Sequence, residues 1–250
     1  MKKILLSAFC GLVSAAATAQ NTMVVEQKSG TTTEFNVDDI QRVFFKNNED
    51  INSYILPDNL EAIDLGLPSG TKWANMNVGA VKPEDYGDYY AWGETETKSQ
   101  YTWATYKWCN GSTSSFTKYC TNSRYGTVDN KTELELSDDV AHVKWGEHWR
   151  IPTQGEIKEL IEKCSSVWTT QNGIKGRLLT GPNGNSVFFP AAGYRREIDR
   201  SQGSYCYYMS STISPRGDNY AYYLIFNISG SYCDAGYTRN DGISVRPVFK

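Results

Sequence analysis

One stretch of this chain reads as helix on every local criterion. Thr153-Gln154-Gly155-Glu156 is a capping box, in which the first and last side chains each satisfy a backbone donor of the opening turn. Behind it, Ile157, Leu160, Ile161 and Cys164 recur at i, i+3, i+4 and i+7, and this apolar stripe predicts a helix from Thr153 to Lys163. A shorter helix is expected over Asp138 to Lys144. Everything else is punctuated too often for helix. Short strands are expected at 72–75, 89–92, 176–180, 186–190, 206–211, 220–227 and 243–249. Explicit turns stand at Gly181-Pro182-Asn183-Gly184 and at Asn240-Asp241-Gly242. A few helices followed by a run of short strands gives an α+β fold of antiparallel strands, not a parallel α/β sheet. With 17 Tyr and 7 Trp, that fold is loop-rich and pinned by large rings.

A chain of 250 residues buries roughly 70–75% of its unfolded surface, enough for one domain and an appendage. The organisation follows from the N-terminus onward. Residues 1–19 have the form of a signal peptide, with Lys2 and Lys3 as the positive start and an apolar run from Ile4 to Ala17. Ala17-Thr18-Ala19 then supplies small residues for cleavage before Gln20. The apolar run is shorter than the roughly 20 residues that span a bilayer. Phe9 before Cys10 departs from a lipidation box, so the leader predicts a secreted or cell-surface protein that is not membrane-spanning. Residues 20–46 form a small β unit, with TMVVEQ and TTTEFNV flanking Lys28-Ser29-Gly30 as a hairpin and a third strand at 42–45. Residues 47–59 are a polar linker, and the main domain runs from 60 to 250. Removing Lys2 and Lys3 leaves 23 basic against 28 acidic residues, a net charge of −5. That balance argues against nucleic acid as a partner, because such a surface must neutralise phosphates.

Export makes disulfides chemically permissible. Beyond Cys10 the cysteines are Cys109, Cys120, Cys164, Cys206 and Cys233, and none lies in the paired spacing of a zinc ribbon. Bridges are expected between Cys109 and Cys120 and between Cys206 and Cys233. Cys164, on the helix stripe, is expected as a buried thiol.

Several motifs occur in order along residues 60–250. They are DLGLPSGTKWANMNVGA at 64–80, PEDYGDYYAWGE at 83–94, WGEHWRIPT at 145–153, and NGIKGRLLTGPNGNSVFFPAAGYR at 172–195. YYMSST at 207–212, AYYLIF at 221–226 and GISVRPV at 242–248 complete the set. Together they resemble the Fibrobacter succinogenes major paralogous domain family of exported proteins from gut Bacteroidetes. The WRIPT element and the terminal SVRPV strand are also similar to the C-type-lectin-like and formylglycine-generating-enzyme folds. The resemblance implies a C-type-lectin-like, loop-rich domain whose terminal strand closes onto an early one.

No enzyme site emerges from the residues. His142 and His148 are six apart, which is the wrong spacing for a metal shared across adjacent helical turns. Glu84, Asp85 and Asp88 crowd one turn and read as solvated. The formylglycine-generating enzymes use two closely spaced cysteines near the C-terminus, whereas here Arg246-Pro247 occupies the closing segment. The calcium cage of a lectin has only partial counterparts, Gly181-Pro182-Asn183 and Arg239-Asn240-Asp241. No metal or cofactor is therefore expected.

A surface remains. Eight Tyr fall between Tyr205 and Tyr237, interleaved with Ser, Gly, Asn and Asp, the composition of an antibody paratope. Tyr208 and Tyr222 are expected to point into the core. Loops at 214–219 and 229–240 are expected to carry an exposed binding set: Arg216, Asp218, Asn219, Tyr220, Tyr232, Tyr237 and Arg239. The expected function is a non-enzymatic binding or adhesion module whose partner is a protein or glycan at the cell surface or in the gut lumen. The alternatives are a structural component of a surface assembly, which would add strands through the N-terminal hairpin, and an enzyme with an unrecognised site.

Overall fold

The computed structural model of the protein describes residues 22–26, 31–36, 56–146 and 148–250. Two compact units divide the chain, residues 1–53 and 54–250. In the first, β1 (Thr22–Glu26) and β2 (Thr32–Asn36) pair antiparallel, with Thr22 opposite Asn36 and Glu26 opposite Thr32. The leader, the third strand expected at 42–45 and most of the linker lie outside the described residues.

The second unit is α+β. Its elements begin with β3 (Ala62–Ile63), β4 (Lys72–Ala74), β5 (Tyr89–Tyr90), α1 (Val140–Trp145), β6 (Trp149–Arg150) and α2 (Gln154–Lys163). The strands β7 (Ser165–Gln171), β8 (Ile174–Thr180), β9 (Ser186–Pro190), β10 (Tyr194–Arg195) and β11 (Asp199–Arg200) follow. The chain ends in β12 (Cys206–Ile213), β13 (Tyr220–Asn227), β14 (Gly230–Thr238), β15 (Gly242–Ser244) and β16 (Val248–Phe249). Among the described residues no helix is long and apolar enough to cross a membrane.

The helix α2 begins as its capping box dictates: Thr153 accepts from the Glu156 N–H, and Glu156 accepts in return from the Thr153 N–H at 2.9 Å. Arg150 adds a charged clamp to the same carboxylate. Burial works against that charge, yet the guanidinium and the Thr153 N–H hold the Glu156 carboxyl down to about 2. The shorter helix starts two residues later than expected because Asp139 caps it. Its carboxylate accepts from the N–H groups of Ala141, His142 and Ile151, while burial pushes its pKa up to about 6.

Three sheets share the core. The largest runs β11-β10-β15-β12-β13-β14, with β5 also on β15, and mixes antiparallel pairs with a parallel β12–β15 contact. β12 and β13 are buried on both faces, so their alternation feeds two separate cores. Tyr207, Met209, Ala221, Tyr223 and Ile225 face one cluster with Trp92, Trp145 and Trp149. Cys206, Tyr208, Leu224 and Phe226 face the other, where Ile157 and Leu160 of α2 pack. Tyr208 is buried as expected, but Tyr222 is only half-buried; its neighbour Tyr223 is the core ring.

The segment expected as one strand at 243–249 is two strands broken at Val245-Arg246-Pro247. β15 joins the large sheet, while β16 lies between β4 and β6, with Val248 opposite both Trp73 and Arg150. This is the closure of a late strand onto an early one that the resemblance implies. Arg246 at the break is fully buried against the Phe189 ring and donates to Asn77 Oδ1 and the Ala74 carbonyl. Burial pulls its pKa down to about 10. The third sheet, β7-β8-β9, is a meander. Its second turn requires Gly181, where a Cβ would meet the Leu65 carbonyl oxygen at 2.0 Å.

The structure holds all five described cysteines as free thiols. Cys206 pairs with Phe226 across β12–β13, and Cys233 pairs with Leu224 across β13–β14, so a whole strand separates them. Two strand spacings come to about 9–10 Å, beyond the roughly 7 Å limit for a bridge. Cys109 donates to the Trp103 carbonyl and Cys120 to the Asn122 carbonyl, so their sulfurs point at different acceptors. Cys164 is half-buried at the C-terminus of α2. Burial pushes Cys164 and Cys233 each up to about 11 and raises Cys206 well above the usual thiol range. Native protein should therefore label slowly at every thiol. Denaturation without reductant should expose all five beyond Cys10; finding three or fewer would show that bridges form.

Candidate binding face

The candidate site grows out of the alternation in β12, β13 and β14. Across these strands Tyr207, Ile225 and Tyr232 form one row on a common face. Tyr237 would point to the opposite face if β14 alternated without interruption. It does not, because the β13–β14 register advances two residues on one strand and three on the other, from Ala221↔Tyr237 to Tyr223↔Asp234. The extra residue is a β-bulge, and it rotates Tyr237 onto the side of Tyr232. Gly236 sits in the bulge, where a Cβ would meet Arg216 Nη1 at 2.9 Å.

The rings then touch in sequence. Tyr237 donates to the Tyr207 hydroxyl at 2.9 Å, with ring centroids 4.8 Å apart. Tyr205 stacks on Tyr207 at 5.6 Å and 16°, and Tyr194 meets Tyr207 edge-on at 5.5 Å. Tyr223 anchors the group from below, 5.9 Å from Tyr237. Exposure rises outward: Tyr223 is fully buried, Tyr207 is 4% exposed, Tyr205 reaches 36% and Tyr232 49%. Burial, and then the hydrogen bond from Tyr237, raise the Tyr207 phenol far above its ordinary value, so it stays neutral at any physiological pH. Charge rims the patch. Arg216 pairs with Asp234 at 3.2 Å, and Arg196, 5.5 Å over the Tyr194 ring, pairs with Asp241 at 2.8 Å. Rigid amphipathic rings with an adaptable charged rim can supply contact area to a ligand at low entropic cost.

Of the seven residues expected to bind, the structure places Tyr237 in the ring chain, Tyr232 on the same face of β14, and Arg216 against Gly236 in the bulge. Tyr237 is not a free loop residue but a half-buried member of the ring chain. The expected loop at 229–240 is mostly strand β14. Asp218 and Arg239 are internal and do not belong to a contact surface. The Asp218 carboxylate accepts from the Thr121 and Asn122 N–H groups and the Thr121 hydroxyl, holding the 105–130 excursion to the sheet. Arg239 is fully buried beneath that excursion. Asn219 lends its carbonyl to the Arg239 N–H, and Tyr220 lies on the face opposite Tyr223. Tyr194, Tyr205 and Tyr207 complete the face without standing out in the sequence. The density of Tyr in 205–208 hints at Tyr205 and Tyr207 but not at Tyr194, because the sequence does not show which strand lies beside which.

The other candidates are spent on structure. Asn183 and Asn185 donate their amides to the Asp64 carbonyl, Asn240 donates to the Tyr101 carbonyl, and Asp241 holds Arg196. Glu84 accepts from Asn172, a hydrogen bond that lowers its pKa; Asp85 accepts from the Val81 N–H and Asp88 from the Tyr90 hydroxyl. His148 packs on Phe249, and His142 lies on α1. Among the described residues no three His, Cys, Asp or Glu side chains gather as metal ligands. No protein-family profile, no curated protein and no solved structure matches the chain.

Proposed function

We propose that the protein is an exported, non-enzymatic binding module of C-type-lectin-like fold that recognises a protein or glycan at the cell surface or in the surrounding lumen. The observation that carries this reading is the ring chain Tyr223–Tyr237–Tyr207–Tyr205, which runs from full burial to the surface, with the exposed Tyr232 on the same face. A face built only to close a core would not need its outermost rings in water. Here Tyr205 is held flat by stacking on a ring that is itself fixed by a hydrogen bond, so its exposed face is pre-organised. The non-enzymatic part of the reading is supported by Glu84, Asp85, Asp88 and Asp241 each being engaged in a structural contact.

The test is an array of purified glycans and extracellular proteins probed with wild type, Tyr205→Ala and Tyr232→Ala. Each substitution should leave stability within about 0.5 kcal/mol, as for other surface changes. Each should weaken binding about thirtyfold, the equivalent of a 2 kcal/mol interface anchor. Ligand binding that survives both substitutions would remove this face from the function.

A further inference from the structure

Sheet edges in the 54–250 unit are nearly all blunted. β3, β5, β6 and β11 are two residues long, and β11 is Asp199-Arg200. The edge strand β14 carries the bulge and Asp234. β9 ends in Pro190. Short length, charge, bulges and proline are the devices that stop an edge from pairing with another chain. β7 has none of them. It is seven residues, SSVWTTQ, without a charge or a proline, and its register with β8 is unbroken. At its middle Val167 is 55% exposed.

The hairpin turn fixes which backbone groups of β7 face outward. Asn172 and Gly173 both have positive φ, 49° and 83°, the two-residue turn whose flanking pair Gln171–Ile174 is hydrogen-bonded. Pairs alternate from there, so Thr169, Val167 and Ser165 also bond to β8. The N–H and C=O groups of Ser166, Trp168 and Thr170 therefore point away from β8. Among the described residues nothing bonds to them.

These three residues are evenly spaced about Trp168. An antiparallel copy of β7 centred on Trp168 sets Trp168 opposite Trp168 and Ser166 opposite Thr170. Every outward N–H and C=O then finds a partner, two bonds per pair and six in all. Shifting the centre by one residue leaves one of the three residues unpaired. The side chains agree: Val167 falls opposite Thr169 of the second copy in a close pair, and no like charges meet. We propose that the β7 edge is a homodimer seam, joining two copies of this chain about a two-fold axis at Trp168 into a six-stranded sheet β9-β8-β7-β7-β8-β9. Such a contact is isologous and closed, so it stops at two copies and does not grow into a fibre.

The experiment is sedimentation of the full exported chain over a dilution series, with Thr170→Pro and Val167→Lys alongside. The Thr170 N–H is not used by β8, and proline is tolerated at edge positions whose N–H faces outward. Both variants should melt as wild type does once wild type is diluted to its monomeric range, where the dimer no longer adds stability by mass action. Wild type should sediment as a concentration-dependent dimer and both variants as monomers. A wild-type monomer at every concentration would overturn the proposal. So would a dimer that persists in Thr170→Pro, or one that is lost only when residues 20–48 are deleted, since the seam would then lie elsewhere.

Discussion

Arg239→Ala should cost the domain on the order of 3–5 kcal/mol, the penalty of leaving buried acceptors unpaired and opening a large cavity. Arg239 is fully buried, and its guanidinium donates to the carbonyls of Asp218 at 2.7 Å, Tyr119 at 2.9 Å and Lys118 at 3.3 Å, and to the Tyr106 hydroxyl at 3.0 Å. Trp92 and Phe116 sandwich it, each 4.6 Å from the guanidinium carbon. Among the described residues no carboxylate pairs with it; neutral dipoles and ring faces replace the counter-ion. Removing the side chain leaves three carbonyls and a hydroxyl without their donor in a dry site, and opens a cavity. Arg239→Lys should recover little, because an ammonium cannot reproduce the planar fork that reaches acceptors on both sides. Urea denaturation of the two variants measures this directly. A loss below about 1 kcal/mol for Arg239→Ala would mean that the Asp218 contacts hold the 105–130 excursion without help from Arg239.

Tyr223→Ala should cost about 3–5 kcal/mol, as for other large aromatic truncations in a core. Tyr222→Ala should cost well under half of that. The two residues are neighbours in one strand and differ only in face. Tyr223 is fully buried, touches Tyr237 and donates to the Thr238 carbonyl at 3.4 Å, whereas Tyr222 is half-buried on the opposite side. Tyr223→Phe isolates the hydroxyl and should lose only about 1 kcal/mol, the net value of one hydrogen bond. Melts of the three variants check the assignment. Equal losses for the Tyr222 and Tyr223 truncations would mean that the strand is rotated relative to its sheet.

Local chemistry makes part of this fold legible in the sequence. The capping box at Thr153 and Glu156 places α2, and the turn at Gly181 separates β8 from β9 through backbone requirements that few residues satisfy. β13 is readable over its whole length as an aromatic and aliphatic run. The rest depends on neighbours that the sequence does not name. β14 reads as a loop because its bulge breaks the period of two and its glycines weaken the strand signal. Arg239 sits in Thr-Arg-Asn-Asp-Gly, which reads as an exposed turn; its burial comes from Trp92, Tyr106, Phe116 and Tyr119, all distant in the chain. Strand order likewise decides which thiols are neighbours, and it sets Cys206 and Cys233 two strands apart. For the binding face, composition identifies the Tyr-rich region but not the rings that touch.

The position of β16 bears on how the molecule is made. Val248 closes the ladder between Trp73 and Arg150, so the four-stranded sheet gains its middle strand only after residue 249 has been synthesised. A polypeptide emerging from its N-terminus carries β3 and β4 as an incomplete pair until that moment. Such non-local pairing has high contact order and delays the cooperative step of folding. A late keystone of this kind makes the cooperative folding of the whole domain wait on the last few residues to leave the ribosome.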